Sequence, residues 1–517
     1  MHLLQLTEQA TSDHKGIKPT NASATPKFRD ILLEDILCKK GGSSYLVDGL
    51  AEQHIENLIF RNVSLPPGKK NSCDFAQCTC DTLTSPCPSC CKPALKTTDP
   101  MVIFAAGTTV PGAAGAPFRN ESIQFEGFRI PSILRLKNGS LYASAEGRFG
   151  KDSSGAKYPS ALVSRVSLDK AGTKWSDIRI VHAEVGVVIG NALPIADLET
   201  GKLFLFFCRK NKDIFLKTST SGGTWSAPRN MSSVLKPGPA GDSASSPWIG
   251  AGPSAGVQVP ATGRLLGAVN SKVASKACRP CPPPPRKGWP LCGLCDVEYA
   301  ISSDDHGATW RRSSPVPTGA SSGLGEASLT LAPFLGKQGI AMLIRASTLH
   351  KPHTTHMATM STDNGETWAA ATRAFGLNHP SCSDSVLELG NGILVGVAPF
   401  GRSSDPVNHP SRQNLTLWTA AKGGVNTWTA TQTVYPFCSA YSSMAKGLGP
   451  NDAIVEFEGV FGSGASKADC LKNGGAEGKP TDVPYSIAVL PLDIEPGADG
   501  PPPPPPAERG HVVNEDT

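Results

Sequence analysis

Short stretches of alternating apolar and polar residues run along most of the chain and end at turn signals. Examples are SLYASAE at 140–146, KLFLFF at 202–207 and GILVGVAP at 392–399. Because side chains alternate between the two faces of a β-strand, and because Gly and Pro favour turns, this pattern indicates short strands joined by tight connections. Helical periodicity is scarce between these stretches. The chain is therefore predicted to be all-β.

One short motif recurs along the chain. STDNGETW at 361–368 nearly repeats SDDHGATW at 303–310, and looser copies lie at 166–175, 218–225 and 419–428. The tryptophans that close the five copies are separated by 50, 85, 58 and 60 residues. One copy per four-stranded sheet is the period of a β-propeller blade. The repeat therefore predicts a propeller.

The motif itself suits a hairpin turn. In such a turn Asp363 accepts backbone N–H groups, Gly365 takes a positive φ that other residues resist, and Trp368 packs beneath the hairpin. The aspartate is missing from the copies at 218–225 and 419–428. We interpret Asp363 as a structural residue.

The longest interval contains ACRPCPPPPRKGWPLCGLC at 277–295, which predicts a loop, 275–296, inserted into one blade. Its four cysteines have CxxC spacing at both ends of the loop. That spacing suits either a zinc site or two small disulfides, and both interpretations remain open. The four residues are Cys278, Cys281, Cys292 and Cys295.

The two ends of the chain differ from the repeats. FRDILLEDILC at 28–38 and IENLIFRNVSL at 55–65 share a pattern of alternating apolar residues, as two coils of a parallel β-helix would. The stretch YLVDGLAEQHIENLIFRNVSL resembles the C-terminal coils of polygalacturonase-type β-helix enzymes, but it lacks their paired aspartates, so we assign it no activity. The predicted units are a disordered 1–27, a Cys-rich β-helix-like 28–98, a propeller at 99–493 and a Pro-rich disordered tail at 494–517.

Composition excludes two classes of partner. The formal net charge is +5 and only 18% of the residues are charged. No basic run is dense enough for nucleic acid or an anionic membrane, and no apolar stretch approaches the length of a membrane span. We expect no nucleic acid partner, no obligate membrane insertion, and a monomer.

The cysteines and glycosylation motifs bear on the compartment. Six of the 15 cysteines lie between Cys73 and Cys91, and six Asn-x-Ser/Thr motifs are present. Both features favour a secreted, extracellular or lysosomal protein, although the first thirty residues lack the pattern of a signal peptide. A cytoplasmic protein with metal-binding cysteines is the alternative.

The stretch EGFRIPSIL at 126–134 places an arginine between an aromatic residue and Ile-Pro. It resembles the first arginine motif of the sialidases, and the SxDxGxTW copies resemble their Asp boxes. The resemblance covers roughly residues 100–490 and implies a six-bladed propeller in which three arginines bind the substrate carboxylate. Sialic acid carries this carboxylate on its anomeric carbon, and a guanidinium group binds it bidentately without losing its charge.

The resemblance also implies which residues form the site. LGEASLTLAPFLGKQGIAMLIRAS at 324–347 corresponds to the glutamate and second arginine, NHPSRQNLTLWTA at 408–420 to the third arginine, and FCSAYSSMAKGL at 437–448 to the nucleophile. DAIVEFEGVFG at 452–462 supplies an orienting glutamate, and SAEGRFGKDSSG at 144–155 supplies a fourth substrate-binding arginine and the acid. The implied residues are Arg129, Arg345, Arg412 and Arg148 for binding, Tyr441, Glu326 and Asp152 for catalysis, and Glu458 for orienting Arg129.

Two of these choices have a fallback. Tyr435 is the alternative nucleophile, and Glu456 fits the orienting role less well than Glu458, which is followed directly by Gly459. Sialidases use tyrosine because a carboxylate nucleophile would be repelled by the substrate carboxylate, whereas a phenol activated by an adjacent glutamate is not.

The resemblance implies a retaining exo-α-sialidase that removes terminal sialic acids from sialylated glycoconjugates. No metal or other cofactor is expected, since the cationic role falls to arginine. Two alternatives remain: a trans-sialidase that passes the sugar to an acceptor galactoside, and an inactive sialoside-binding lectin. The inserted Cys/Pro loop departs from the family pattern, and we expect it to alter one wall of the substrate entrance.

Overall fold

A computed structural model describes most of the chain from residue 99 onwards. The described ranges are 99–111, 122–149, 160–237, 248–274, 294–317, 324–334, 337–346, 356–377, 382–390, 392–399, 412–420, 424–461 and 485–494, together with short strand segments before residue 99. Within these ranges the secondary structure is β apart from one short helix, α1 (Ser232–Leu235). The predicted all-β class is confirmed.

The segments before residue 99 pair in parallel. β1, β3 and β5 form one sheet, and β2, β4, β6 and β7 form another. In the second sheet Ile31 is the register partner of Leu58, as two successive coils of a β-helix require. The β-helix-like unit itself stays a prediction. The strands are β1 (Gln5–Thr7), β2 (Arg29–Glu34), β3 (Leu46–Asp48), β4 (Ile55–Arg61), β5 (Ser72–Asp74), β6 (Ala76–Cys80) and β7 (Lys92–Pro93).

Most of the remaining strands form separate antiparallel sheets, and these sheets follow one another in chain order. After β8 (Met101–Phe104) and the hairpin of β9 (Thr109–Pro111) and β10 (Ser122–Gln124), the first sheet contains β11 (Gly127–Arg135), β12 (Leu141–Arg148), β13 (Ser160–Val166) and β14 (Arg179–His182). The second contains β15 (Ile189–Ala196), β16 (Leu203–Arg209), β17 (Asp213–Ser219) and β18 (Arg229–Asn230).

The third and fourth sheets follow the same order. The third contains β19 (Trp248–Ala251), β20 (Val257–Gln258), β21 (Leu265–Ala274), β22 (Leu294–Ser303) and β23 (Arg311–Arg312). The fourth contains β24 (Leu324–Phe334), β25 (Lys337–Ala346), β26 (His356–Ser361) and β27 (Thr372–Arg373). The predicted insertion at 275–296 connects β21 to β22, which pair in uninterrupted register as far as Ala274 and Leu294. Its predicted end was three residues too late, because 294–296 belong to β22.

The last sheet has seven strands. It runs through β28 (Ser385–Glu388), β29 (Leu394–Pro399), β30 (Gln413–Ala420), β31 (Trp428–Lys446), β32 (Asp452–Gly459) and β33 (Ser486–Asp493) to β8. The 19-residue β31 pairs with β30 through its first part and with β32 through its second. The pairing of β33 with β8 joins the end of this region to its beginning. The sheets thus form the predicted propeller-like arrangement.

Apolar side chains fill the spaces between sheets. Phe204 and Phe206 of the second sheet, for example, contact Trp310, the closing residue of the repeat in the third sheet, in edge-to-face geometry. Sheets covered on both faces require strands that are apolar on both faces, which explains runs such as KLFLFF.

In all five sheets from β11 to β33 the repeated motif lies between the third and fourth strands in pairing order. In the fourth sheet the Asp363 carboxylate accepts hydrogen bonds from Glu366 N (3.1 Å), Thr367 N (3.0 Å) and the Ser361 hydroxyl (2.7 Å). Gly365 has φ of +82° and Trp368 is buried. Every partner found for Asp363 in the described residues belongs to its own turn.

Asp363→Ala is expected to lower the free energy of unfolding by about 1–2 kcal/mol, because backbone donors lose their acceptor. Partial burial would raise the pKa of Asp363, but its hydrogen bonds hold the pKa below the ordinary value. The stabilisation is therefore present near neutral pH and is lost as the pH falls through that lowered pKa. Urea unfolding measures the change, with Asp363→Asn as the matched control that keeps an acceptor oxygen. An unchanged unfolding midpoint would contradict the structural role.

The predicted cysteine site falls outside the described residues. Cys278, Cys281 and Cys292 are not described, and for Cys295 only the backbone is, so zinc and disulfide both remain predictions. In the described part, Cys438 is disulfide-bonded, whereas Cys208 and Cys382 are free and buried.

Candidate active site

Three arginines that are far apart in the sequence meet around one tyrosine ring. Arg129 lies near the start of β11, Arg345 near the end of β25, and Arg412 directly before β30. Their guanidinium carbons are 5.4, 5.8 and 5.4 Å from the centroid of the Tyr441 ring, within the range of cation–π contacts. The structure thus brings together all three arginines of the sequence prediction.

The Tyr441 hydroxyl is held between a carboxylate and a guanidinium group. It donates to the Glu326 carboxylate, with oxygen distances of 2.9 and 2.8 Å, and accepts from Arg345 Nη1 at 2.5 Å. Arg345 Nη1 also pairs with Glu326. Glu326 is near the start of β24 and Tyr441 lies on the second half of β31, so the contact joins the fourth sheet to the seven-stranded one.

Burial and neighbouring charges together set the protonation of these groups. Burial raises the pKa of Tyr441 well above its ordinary value, while the charges of Arg345 and Arg412 oppose the shift. Burial would lower the pKa of Arg345, but Tyr441 and Glu326 raise it overall, so the guanidinium stays charged. A neutral phenol that already donates to a carboxylate needs that carboxylate to remove its proton before it can act as a nucleophile.

Glu458 connects the first arginine to the tyrosine strand. Its carboxylate pairs with Arg129 Nε at 2.7 Å and accepts the backbone N–H groups of Ile130 at 2.7 Å and Tyr441 at 3.3 Å. Ile130 has φ of +59°, an unfavourable conformation for a β-branched residue, where β11 bulges away from β12. Glu458 therefore fixes the backbone on both sides of the arginine cluster.

Arg148 ends β12 and is held by a carboxylate that the sequence prediction missed. Arg148 Nη2 pairs with Glu146 at 2.6 Å, and Glu146 also accepts the N–H of Asn191 at 2.8 Å. Glu146 is the register partner of Arg129. Burial raises its pKa to about 7, opposed by the Asn191 hydrogen bond and the charge of Arg129. The sequence did contain a signal for Glu146: it lies two residues before Arg148 in SAEGRFG and so on the same strand face.

Tyr485 was also missed. Its ring lies 5.1 Å from the Arg129 guanidinium carbon, and it is buried in a cluster with Ile130, Cys382 and Tyr441. Nothing in the surrounding VPYSIAVL distinguishes it from an ordinary core residue, because its position depends on β33 pairing with β32.

Both fallback residues lie apart from this cluster. The Tyr435 hydroxyl donates to the carbonyl of Val460, and its ring packs on Phe437, Phe457 and Phe461. The Glu456 side chain is fully buried, and the backbone N–H of Ser132 lies beside its carboxyl group.

Asp152, the predicted acid, lies outside the described residues. Where the structure is described, it contains no cluster of His, Cys, Asp and Glu suited to a metal ion. No helix in the same part is long and apolar enough to cross a membrane.

The BNR repeat-like domain family matches residues 139–447, which is more than half of the chain. The chain belongs to this family. The match begins in the first sheet and ends just after β31, so it includes Arg148, Glu326, Arg345, Arg412 and Tyr441.

Sialidases are among the relatives of this BNR repeat-like chain. It is 25% identical over 286 residues to human (Homo sapiens) sialidase-4 and 27% identical over 226 residues to the sialidase of Micromonospora viridifaciens. These matches cover 50% and 38% of this chain, and 54% and 30% of the two relatives. The chain therefore spans about half the length of the human protein and less of the bacterial one.

The fold is also that of a sialidase. The structure of Trypanosoma rangeli sialidase superimposes with a TM-score of 0.53 over 78% of this chain and 60% of that chain, at 15% sequence identity. This likeness supports the propeller-like architecture. The predicted resemblance to sialidases is confirmed.

Proposed function

We propose that this BNR repeat-like protein is a retaining exo-α-sialidase that hydrolyses terminal sialic acids of glycoconjugates. The observation that carries the proposal is the convergence of Arg129, Arg345 and Arg412 on Tyr441, whose hydroxyl donates to Glu326. Three cations around one nucleophile suit a substrate whose carboxylate is on the reacting carbon.

In the first step the Tyr441 oxygen bonds to the anomeric carbon and its proton passes to Glu326. The bond to the glycosidic oxygen breaks, and this oxygen takes a proton from Asp152, the acid that the family resemblance implies. The second step reverses these roles: water attacks the anomeric carbon, Asp152 takes its proton, and Tyr441 leaves and recovers a proton from Glu326.

The binding residues have separate tasks in this scheme. The three arginines hold the substrate carboxylate and offset the negative charge near the attacking oxygen, while Glu458 orients Arg129. Arg148 contacts the substrate from the end of β12, and Glu146 holds it there. We infer six blades: the four sheets from β11 to β27 are one blade each, and the seven-stranded sheet is two blades that share β31.

The wild-type protein is expected to release the fluorophore from a fluorogenic α-sialoside and not from the matching β-galactoside or β-glucuronide. The glucuronide is the sharper control, because its carboxylate is not on the anomeric carbon. Specific binding of sialic acid without turnover would contradict the proposal and favour the lectin. Sialyllactose formed after addition of lactose would instead favour the trans-sialidase.

A further inference from the structure

His356 is a buried histidine that connects two sheets next to the proposed site. It is the first residue of β26 in the fourth sheet and is 1% exposed. Its Nε2 atom lies 2.9 Å from Asp384 Oδ2 and 3.1 Å from the carbonyl oxygen of Cys382, in the segment 382–385 that leads into β28 of the seven-stranded sheet. Because a carbonyl oxygen and a carboxylate can only accept, Nε2 carries the proton and donates across the boundary between the two sheets.

The segment 382–385 in turn contacts the strand of the proposed nucleophile. Cys382 is fully buried and packs in the same apolar cluster as Tyr441. The Ser385 hydroxyl forms a hydrogen bond of 3.0 Å with the hydroxyl of Ser442, the residue directly after Tyr441 on β31. The segment that His356 holds therefore contacts β31 at Tyr441 and at its neighbour.

The thiol of Cys382 also lies close to the arginines. Burial raises its pKa to about 12, and the positive charges of Arg412 and Arg345 oppose that shift, so the thiol is neutral near neutral pH. A neutral thiol next to Tyr441 contributes packing rather than charge. A displacement of the segment 382–385 would therefore remove a packing contact from Tyr441.

Within its own sheet His356 lies opposite Arg345. The two residues are register partners on β25 and β26, and directly opposite side chains of an antiparallel pair lie on the same face with Cβ atoms about 5 Å apart. Arg345 Nη1 contacts both the Tyr441 hydroxyl and Glu326. His356 therefore connects the strand pair that carries Arg345 to the segment that packs with Tyr441.

The contact between Tyr441 and Glu326 crosses the same boundary between sheets. Glu326 belongs to the fourth sheet and Tyr441 to the seven-stranded one, so the geometry of their hydrogen bond depends on how the two sheets are held together. Farther along β24 than Glu326, the N–H of Glu388 donates across this boundary to Thr330 Oγ1 at 3.0 Å. His356 thus crosses the boundary next to Tyr441, and Thr330 crosses it farther away.

We propose that His356 is a positioning residue for the Tyr441–Glu326 contact and acts through the segment 382–385. This inference rests on the proposed function. With the Nε2 donor in place, Cys382 stays packed with Tyr441, whose hydroxyl stays within hydrogen-bonding distance of Glu326. Without the donor the segment loses this anchor to the fourth sheet, and a displacement of a reacting group by about 1 Å costs about 10² in rate.

Binding of the substrate carboxylate should depend less on His356. Arg129 keeps its ion pair with Glu458, and Arg345 keeps its ion pair with Glu326, whether or not His356 is present. The loss of His356 should therefore lower kcat much more than it raises KM.

The test compares His356→Leu, which removes the donor, with His356→Gln, which keeps an N–H group near the position of Nε2. On a fluorogenic sialoside His356→Leu should lower kcat at least about tenfold, with KM within about threefold of the wild type, and His356→Gln should recover most of kcat. An unchanged kcat in His356→Leu, a loss confined to KM, or equal impairment of the two variants would overturn the proposal. If His356→Leu does not fold, a double variant of His356→Leu and Asp384→Asn, which removes the carboxylate charge together with its donor, takes its place.

Thr330→Val is the matched control. It keeps a branched side chain of similar size but removes the acceptor of the Glu388 N–H, so it weakens the same boundary and should lower the urea midpoint. Its kcat should stay within about twofold of the wild type, because Thr330 lies farther from Tyr441. An equal fall of kcat in Thr330→Val and His356→Leu would reduce His356 to a general structural role and overturn the inference.

A stability measurement separates this inference from the proposed function, because it needs no turnover. In a double-mutant cycle of urea unfolding, His356→Leu and Tyr441→Phe should depart from additivity by at least about threefold in the unfolding equilibrium constant, since both act on the same contact. Thr330→Val and Tyr441→Phe should be additive. If the wild type binds sialic acid without hydrolysing sialosides, the proposed function fails, and the cycle then takes the place of kcat. Additivity of His356→Leu and Tyr441→Phe would overturn the inference in either case.

Discussion

Tyr441→Phe is expected to abolish turnover of sialosides while leaving the fold intact. The substitution removes only the hydroxyl that donates to Glu326 and accepts from Arg345. Without that oxygen no covalent bond to the anomeric carbon forms, and kcat should fall by at least ~10³-fold, as for other nucleophile deletions. The loss is measured with a fluorogenic sialoside near the pH optimum of the wild type.

The aromatic ring that Tyr441→Phe retains separates an effect on turnover from an effect on binding. Phenylalanine keeps the aromatic face that Arg129, Arg345 and Arg412 contact, so the affinity for sialic acid should change by less than about tenfold. Tyr435→Phe is the matched control, because the Tyr435 hydroxyl donates to the Val460 carbonyl away from the arginines. It should lose some stability and retain kcat. Full activity of Tyr441→Phe would refute the assignment of the nucleophile.

The arginine cluster could be found from sequence because each member lies in a recognisable local motif. Arg129 lies in FRIP, and Arg345 and Arg412 accompany apolar strands in family order. A guanidinium group that must meet a carboxylate has few chemical substitutes, so residue type and order carry the information. The structure adds what order cannot give, namely that the three side chains meet at one ring.

Glu146 and Tyr485 could not be found from local motifs. Glu146 belongs to an apolar strand and Tyr485 directly precedes one, and each acquires its character from a neighbour distant in sequence, Asn191 for Glu146 and β32 for Tyr485. The pKa of a buried carboxyl group depends on burial and on nearby charge, which only the packed sheets define. Local patterns therefore identify residues that bind by their type, and miss residues that act through their surroundings.

In the fold, too, local features were predicted from the sequence and features that depend on distant strands were not. The repeated turn predicted the spacing of the sheets, because a hairpin needs Asp363, Gly365 and Trp368 within a few residues of one another. The long strand β31 was not predicted. It begins at Trp428, which closes one repeat, and continues to Lys446, so a single strand completes one group of strands and begins the next. Pro436, which cannot donate a ladder hydrogen bond, lies just before the change of partner at Ser439.

Glu458→Gln is expected to cause the largest loss of stability, about 3–5 kcal/mol in the free energy of unfolding. Glu458 is fully buried, and its pair with Arg129 compensates a cation that is itself almost entirely inside the protein. Removing one member of a buried ion pair leaves the other charge uncompensated. The glutamine amide also places a donor where Arg129 Nε and the backbone N–H groups of Ile130 and Tyr441 already donate. Urea unfolding at pH 5 measures the loss.

The same substitution should weaken binding of substrate. Without the Glu458 carboxylate, neither the Arg129 side chain nor the positive φ of Ile130 is held, so KM for a sialoside should rise by at least tenfold at a temperature where the variant is folded.

Glu456→Gln separates this effect from a general cost of changing a buried glutamate on β32. Burial raises the pKa of Glu456 well above its ordinary value, so the glutamine replaces an already neutral acid, and the free energy of unfolding should change by less than about 1 kcal/mol. Equal losses in the two variants would show that the ion pair with Arg129 is not what stabilises this strand. A stable Glu458→Gln with unchanged KM would remove Glu458 from the proposed site.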